Sequence, residues 1–160
     1  MEVKPSDVRL AGMDLLARRE HSSQEIITKL KKRFGKRLES DAVIHDAVDQ
    51  LTHEGLLSDQ RYAASMARQL VNRGAGPSKV AYELRQKGCD PDAALVDAFP
   101  DGVDWFAAAE DVYDRKFGAK PMPEEWELKQ KERAKRGRFM SSRGFVPSHF
   151  MHLLEATSDE

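Results

Sequence analysis

Cysteine is nearly absent from this sequence: Cys89 stands alone among 160 residues. A single thiol cannot close a disulfide within the chain, and it rules out an internal thiolate metal cluster. Long apolar runs are missing too. No stretch approaches the roughly 18 residues that a membrane-spanning helix needs, and Met1 to Arg18 carries polar and charged residues where a secretory signal would have an apolar core. These absences predict a cytoplasmic protein with no membrane partner. Aromatic residues are few, at 8%, and the net charge is only −1, which argues against a general polycation. Little β-branched content and an abundance of Ala, Leu, Glu, Lys, Arg, Gln and Asp favour helix over sheet.

Helical spacing of apolar residues runs through nearly the whole chain. Ser6 is placed to cap a first helix to about Arg19, with Val8, Ala11, Leu15 and Leu16 on one face. Ser22 and Glu25 form an S-x-x-E capping box for a second, which would bury Ile26, Ile27 and Leu30. Ser40 opens a third, with Ile44, Ala47, Val48 and Leu51 inward and Gly55 as its stop. A fourth, from about Asp59 to Asn72, would turn Tyr62, Ala63, Met66 and Leu70 inward. Pro77 starts a fifth, built on Val80, Ala81 and Leu84, and Asp90-Pro91 a short sixth. A seventh carries Phe106, Ala109, Val112, Tyr113 and Phe117 as core spacing. Glu124 to Ser142 reads as a long, very polar helix. Pro147 opens a last one with Phe150, Met151, Leu153 and Leu154. No alternating strand is evident, so the predicted class is all-α.

The helices repeat. With Arg19, Arg73 and Arg143 aligned, Leu16, Leu70 and Met140 stand three residues earlier, each near a helix end. Ser23, Pro77 and Pro147 follow at helix starts, then Ile26, Val80 and Phe150, then Leu30, Leu84 and Leu154. Three diverged helix-turn-helix units with insertions account for this pattern, and these apolar positions are expected in the core. Each aligned arginine is placed either to clamp its turn or to face a partner.

Charge is sorted in step with the repeat. Arg18 to Arg37 holds eight basic residues against Glu20 and Glu25, whereas Glu39 to Asp59 holds six acids and no Lys or Arg. Six basic residues then stand between Arg61 and Lys87, eight acids between Asp90 and Asp114, and ten basic residues between Arg115 and Arg143. Alternating basic blocks suit a surface that meets a polyanion. The candidates for it are Lys31, Lys32, Arg33, Arg73, Lys79, Arg85, Lys87, Lys129, Lys131, Arg133, Lys135, Arg136, Arg138 and Arg143.

Catalytic chemistry is not indicated. Gly74-Ala75-Gly76-Pro77-Ser78-Lys79 lacks the glycine directly before the lysine that a phosphate loop requires. His149 and His152, three apart on one helix, have no third ligand at zinc-motif spacing. Cys89 has no base partner in the pattern. Neither an enzyme nor a cofactor is expected.

Several stretches resemble the RecX family, bacterial regulators of the RecA recombinase. Ala11 to Lys29 (AGMDLLARREHSSQEIITK) is similar to its opening helix pair, and Gly55-Leu56-Leu57-Ser58-Asp59-Gln60-Arg61-Tyr62 to its G-L-L-x-D-x-R-F/Y junction. Arg73 to Pro77 with Glu83 to Gly88 resembles its R-x-x-G-P…E-L-x-x-K-G stretch. Lys116-Phe117-Gly118 and Arg138-Phe139-Met140-Ser141-Ser142-Arg143-Gly144-Phe145 resemble its K-[FY]-G and R-F-L-x-x-R-G-[FY] signatures. The likeness covers about residues 8 to 155. It implies tandem three-helix units in an elongated curved stack, here divided as 1–57, 58–118 (with an extra helix) and 119–160 (with a short acidic tail). It also implies a monomer that binds the RecA–DNA filament, touches single- or double-stranded DNA weakly or through that filament, and suppresses ATP hydrolysis and strand exchange without catalysis of its own. Cys89 departs from the family by replacing a larger aliphatic residue, and Gly137 by interrupting the basic helix. The contrasting reading is a helix-turn-helix transcription regulator, although no single helix stands out as a base reader.

Overall fold

A computed structural model describes residues 2 to 155; the acidic tail expected at the end of the chain lies outside them. Among the described residues the α-helices are α1 (Pro5–Arg18), α2 (Ser23–Phe34), α3 (Ala42–His53), α4 (Asp59–Asn72), α5 (Pro77–Gln86), α6 (Pro91–Ala98), α7 (Trp105–Phe117), α8 (Trp126–Ser142) and α9 (Pro147–Glu155), with a 3₁₀ turn at Gly35–Arg37 and no strand. The all-α expectation holds.

Their starts are set by local chemistry. In the Ser22–Glu25 box the Glu25 amide donates to Ser22 Oγ at 3.0 Å and the Ser22 amide to Glu25 Oε1 at 3.3 Å. These bonds satisfy two amides that the helix itself leaves free. Asp90 accepts from the Asp92 amide at 3.1 Å and Asp104 from the Ala107 amide at 3.0 Å. Ser6 is a correction: Pro5 takes the first helical position and Lys4 precedes it, so Ser6 lies inside α1.

Two compact units divide the chain, Met1–Ser65 and Met66–Glu160, with the division falling inside α4. In the first, α1, α2 and α3 pack on one another around Val8, Ile26, Leu30, Phe34, Ile44, Leu51 and Leu57. Residues of the G-L-L-x-D-x-R junction fasten it. Asp59 accepts from the Ser23 amide at 2.7 Å and from its hydroxyl at 2.8 Å, which closes the start of α2. Arg61 donates to the Gly55 and Leu56 carbonyls at 2.8 and 3.3 Å and to Glu20 at 3.3 Å. In the second unit α7, α8 and α9 enclose Ala109, Val112, Tyr113, Phe117, Met140, Phe145, Phe150 and Leu154, while α5 packs on α6 with Val80, Leu84 and Ala94 buried.

The positions aligned by the repeat are mostly core: Ile26, Leu30, Val80, Leu84, Met140, Phe150 and Leu154 are buried. Leu16 and Leu70 are only half-buried, whereas Met140 at the equivalent position of α8 is fully buried. In α4 the deepest positions are Tyr62, Ala64 and Ala67, with Ala63, Met66 and Leu70 at its margins. Phe106 is a clear departure. It keeps core spacing in α7 yet is 53% exposed, its ring edge-on to His149 with centroids 5.1 Å apart.

Candidate functional site

The aligned turns are four residues long in each case, 19–22, 73–76 and 143–146. The latter two interlock through their backbones. The Gly76 amide donates to the Arg143 carbonyl at 2.7 Å and the Ser78 amide to the Gly144 carbonyl at 2.9 Å. The free amides at the start of α5 are thus met by the carbonyls that end α8, positive helix end against negative. Arg143 completes the joint by donating to the Arg73 carbonyl at 2.6 Å. The approach is close enough to demand glycine on both sides. A Cβ on Gly76 would lie 2.4 Å from the Gly144 carbonyl carbon and the Phe145 nitrogen, and one on Gly144 (φ +97°) would lie 2.5 Å from Lys79 Cβ. Arg143 therefore clamps a turn. Arg19 does the same in the first unit, donating to the Glu20 carbonyl at 2.8 Å and pairing with Glu25 at 2.8 Å. That contact raises the Arg19 pKa and holds the Glu25 carboxyl below its usual range. The Arg73 side chain is exposed.

The cations of α8 fall into distinct environments. Lys131, Lys135 and Arg138, spaced i, i+4, i+7, share one exposed face. Lys129 and Arg133 are half-buried, and Arg133 pairs with Glu155 of α9 at 3.4 Å. Arg136 corrects the sequence reading. Only 3% exposed, it points into the core, where it donates to Glu132 at 2.9 Å, to the Tyr113 hydroxyl at 2.8 Å and to the Lys120 carbonyl at 3.1 Å. Its guanidinium also lies 4.9 Å from the centre of the Phe117 ring. Burial alone would lower its pKa, but the bonds to Tyr113 and Glu132 more than offset that and leave it raised. Nothing of Arg136 is available to a partner.

Lys79 is half-buried, and Arg85 and Lys87 are exposed at the end of α5. In the first unit Lys31, Lys32 and Arg33 are exposed on α2, with Lys31 3.5 Å from Asp41 and Arg33 over the Phe34 ring at 5.0 Å. These cations thus belong to separate units. Beneath this basic helix lies a group that charge counting passed over. His21, 2% exposed, makes a 3.0 Å contact from Nδ1 to the Arg19 carbonyl and one of 3.0 Å from Nε2 to Lys29 Nζ. Burial pushes its pKa down, and the Arg19 and Lys29 charges add to the shift. The available sequence signal was a histidine in the turn between two helices, two residues after Arg19 and directly before the Ser22 cap.

Among the described residues no group of His, Cys, Asp or Glu is arranged to hold a metal ion, and no helix is long and apolar enough to cross a membrane. What the geometry offers is a set of exposed cationic helix faces within each unit.

The chain is similar to proteins named regulatory protein RecX. One from Ectopseudomonas mendocina (strain ymp) is 40% identical over 144 residues, covering 88% of each chain. Another, from Pseudomonas fluorescens (strain SBW25), is 42% identical over 150 residues, covering 92% of this chain and 89% of the relative. The chain belongs to the RecX family. A family profile described as RecX, second three-helix domain, matches residues 58–94, the stretch of α4, α5 and the first half of α6. Two solved RecX structures share the fold. One, from Lactobacillus salivarius, has a TM-score of 0.65 at 21% identity and covers 94% of both chains. The other, titled crystal structure of regulatory protein RecX, has a TM-score of 0.67 at 22% identity, covering 94% of this chain and 75% of that one. In RecX terms, three of the signature stretches have a structural role. The glycines of R-x-x-G-P and R-G-[FY] let the two turns interlock, and the Asp and Arg of the G-L-L-x-D-x-R junction fasten α2 and the α3–α4 turn.

Proposed function

We propose that this RecX-family chain is a non-enzymatic regulator of RecA, binding the RecA–DNA filament in the cytoplasm as a monomer and suppressing its ATP hydrolysis and strand exchange. Three tandem units, 1–57, 58–118 and 119–160, are the division this reading uses. The observation that carries it, beside the kinship, is the exposed face of Lys131, Lys135 and Arg138 on α8. Three like charges on one face repel one another, a cost that an anionic partner relieves. Exposed internal ion pairs would offset little of it, at about 0–1 kcal/mol each. Lys31, Lys32, Arg33, Arg73, Lys79, Arg85 and Lys87 supply further cations for the same role, and Lys129 and Arg133 contribute from the margin of α8. Arg136 and Arg143 support the frame.

The deciding experiment measures ATP hydrolysis by cognate RecA on single-stranded DNA, with the native chain and with Lys131→Gln, Lys135→Gln and Arg138→Gln combined. Glutamine keeps helix propensity. Inhibition by the native chain is expected, with affinity that falls steeply as salt rises and a flatter slope for the triple variant. No effect of the native chain on RecA would refute the reading. Tight, sequence-specific duplex binding in place of inhibition would assign the chain to transcription regulation.

A further inference from the structure

Between α8 and α9 the second unit carries an open groove of about 860 Å³ that none of its described residues fills. Its floor is apolar or small: Ala134 and Gly137 from α8, Met151 and Leu154 from α9, with Met151 41% exposed. Arg133 and Arg138 stand among its lining residues and bring positive charge to the α8 side. Along α8 it runs from Gln130 to Ser142, which at 1.5 Å per residue is about 18 Å, or roughly three helical turns. One turn before Gln130, and on the same face of the helix, Trp126 is 71% exposed. Tryptophan and arginine around a water-excluding apolar centre are the residue types that dominate binding energy at protein interfaces.

We infer that this groove docks an amphipathic α-helix of another protein, one with an apolar stripe and carboxylates along its margin. The length fits a helix of about three turns. Ala134, Gly137 and Ser141, three and four residues apart, lower the wall of α8 so that a second helix can approach. Charge selects the class. Arg133 and Arg138, with Lys131 and Lys135 beside them on α8, favour carboxylates, and the Arg133–Glu155 pair at 3.4 Å shows one already answering that need from within the chain. A nucleic-acid strand fits less well, because Glu155, paired with the groove's own Arg133, brings negative charge beside it. The inference does not require that the partner be RecA, so failure of either reading leaves the other standing.

The test uses the whole chain and a fluorescein-labelled probe peptide of about four helical turns, with leucines on one stripe and glutamates beside it. Saturable binding by fluorescence anisotropy is expected. Affinity should fall at least about tenfold for a scrambled peptide and for one with lysine in place of glutamate, a difference of about 1.4 kcal/mol. Ala134→Glu and Met151→Glu, both at exposed positions, should each weaken the probe by at least about tenfold while circular dichroism stays native. Two independent variants guard against a local folding fault in either one. Absence of saturable binding, indifference to scrambling, or full binding by both variants overturns the inference. So does a concentration-dependent dimer in sedimentation that Ala134→Glu dissolves, which would assign the groove to a second copy. Displacement of the probe by oligothymidylate, with the same two variants losing oligonucleotide affinity, would assign it to nucleic acid and also overturn it.

Discussion

Burying Arg136 takes a full positive charge out of water, and an uncompensated ion in such a place costs several kcal/mol. Compensation here comes from three directions, through Glu132, the Tyr113 hydroxyl and the Lys120 carbonyl, with the Phe117 ring beneath the guanidinium. Arg136→Ala is expected to lower unfolding free energy by about 3–5 kcal/mol in urea titrations, since it also strands the Glu132 carboxylate and the phenol. Arg136→Lys should be nearly as damaging, because an ammonium cannot reproduce a planar fork that serves three acceptors. Arg136→Lys keeps the net charge, so a loss of stability in that variant separates this role from that of a surface cation such as Lys131 or Arg138. One residue along, Gly137 has a different meaning from the one its sequence position suggests. A Cβ there would meet Leu154 Cδ1 at 3.5 Å and Phe150 Cε2 at 3.9 Å, ordinary contact distances, and its backbone is helical. Gly137→Ala should therefore raise stability by about 0.5–1 kcal/mol through the unfolded chain's lost freedom.

At the scale of elements, the helices themselves were legible because spacing and caps agree. Ser22 with Glu25 and Asp90 each stand where a side-chain oxygen closes a helix start, and the structure uses both so. The environment of each charge on α8 was not legible. Basic residues occupy nearly every angle around that helix, so no apolar stripe marks its inner face, and only Tyr113, from a different helix, reveals which arginine is swallowed. Phe106 misled for the opposite reason: its spacing in α7 is that of a core residue, but it packs against a histidine at the surface. Repetition of the turns could be read from sequence; their interlocking could not, since Gly76 and Gly144 are 68 positions apart and a glycine does not announce its neighbour. That joint leads to a sharp expectation. Gly76→Ala has an ordinary φ of −81° to occupy, so its penalty is steric alone, about 1–3 kcal/mol or more for driving a Cβ into unyielding backbone. Gly144→Ala adds left-handed strain of about 1–3 kcal/mol. Thermal melts should rank the three glycine variants with Gly137→Ala above the native chain, Gly76→Ala below it, and Gly144→Ala lowest.

For the molecule as a whole, separate cores in Met1–Ser65 and Met66–Glu160 mean that stress applied to one can be followed apart from the other. Acid supplies such a stress. In the first unit His21 is buried between the Arg19 carbonyl and the Lys29 ammonium, and its pKa lies below the ordinary 6.5. Above about pH 6.5 the histidine is neutral in both folded and unfolded chains, and its contribution to stability is fully present. As pH falls below that value the unfolded chain takes up a proton that the folded one refuses, so stability is lost progressively until the folded histidine itself protonates. Glu25, whose pKa is also lowered, acts in the same direction but in a more acid range, beneath its ordinary 4.5. Between pH 7.5 and 5.5 the histidine is thus the group that shifts the balance, and it does so in the first unit. Hydrogen exchange, corrected for intrinsic rates, should show protection at Ile26–Phe34 and Ile44–Leu51 falling over this interval while that at Ala109–Phe117 and Met140–Leu154 holds. His21→Gln can still bond to the Arg19 carbonyl but cannot take up a proton there, so its exchange in the first unit should be flat across the same interval. A variant that keeps the native slope would place the acid-sensitive group elsewhere. Equal loss in both units would mean that the two cores open together.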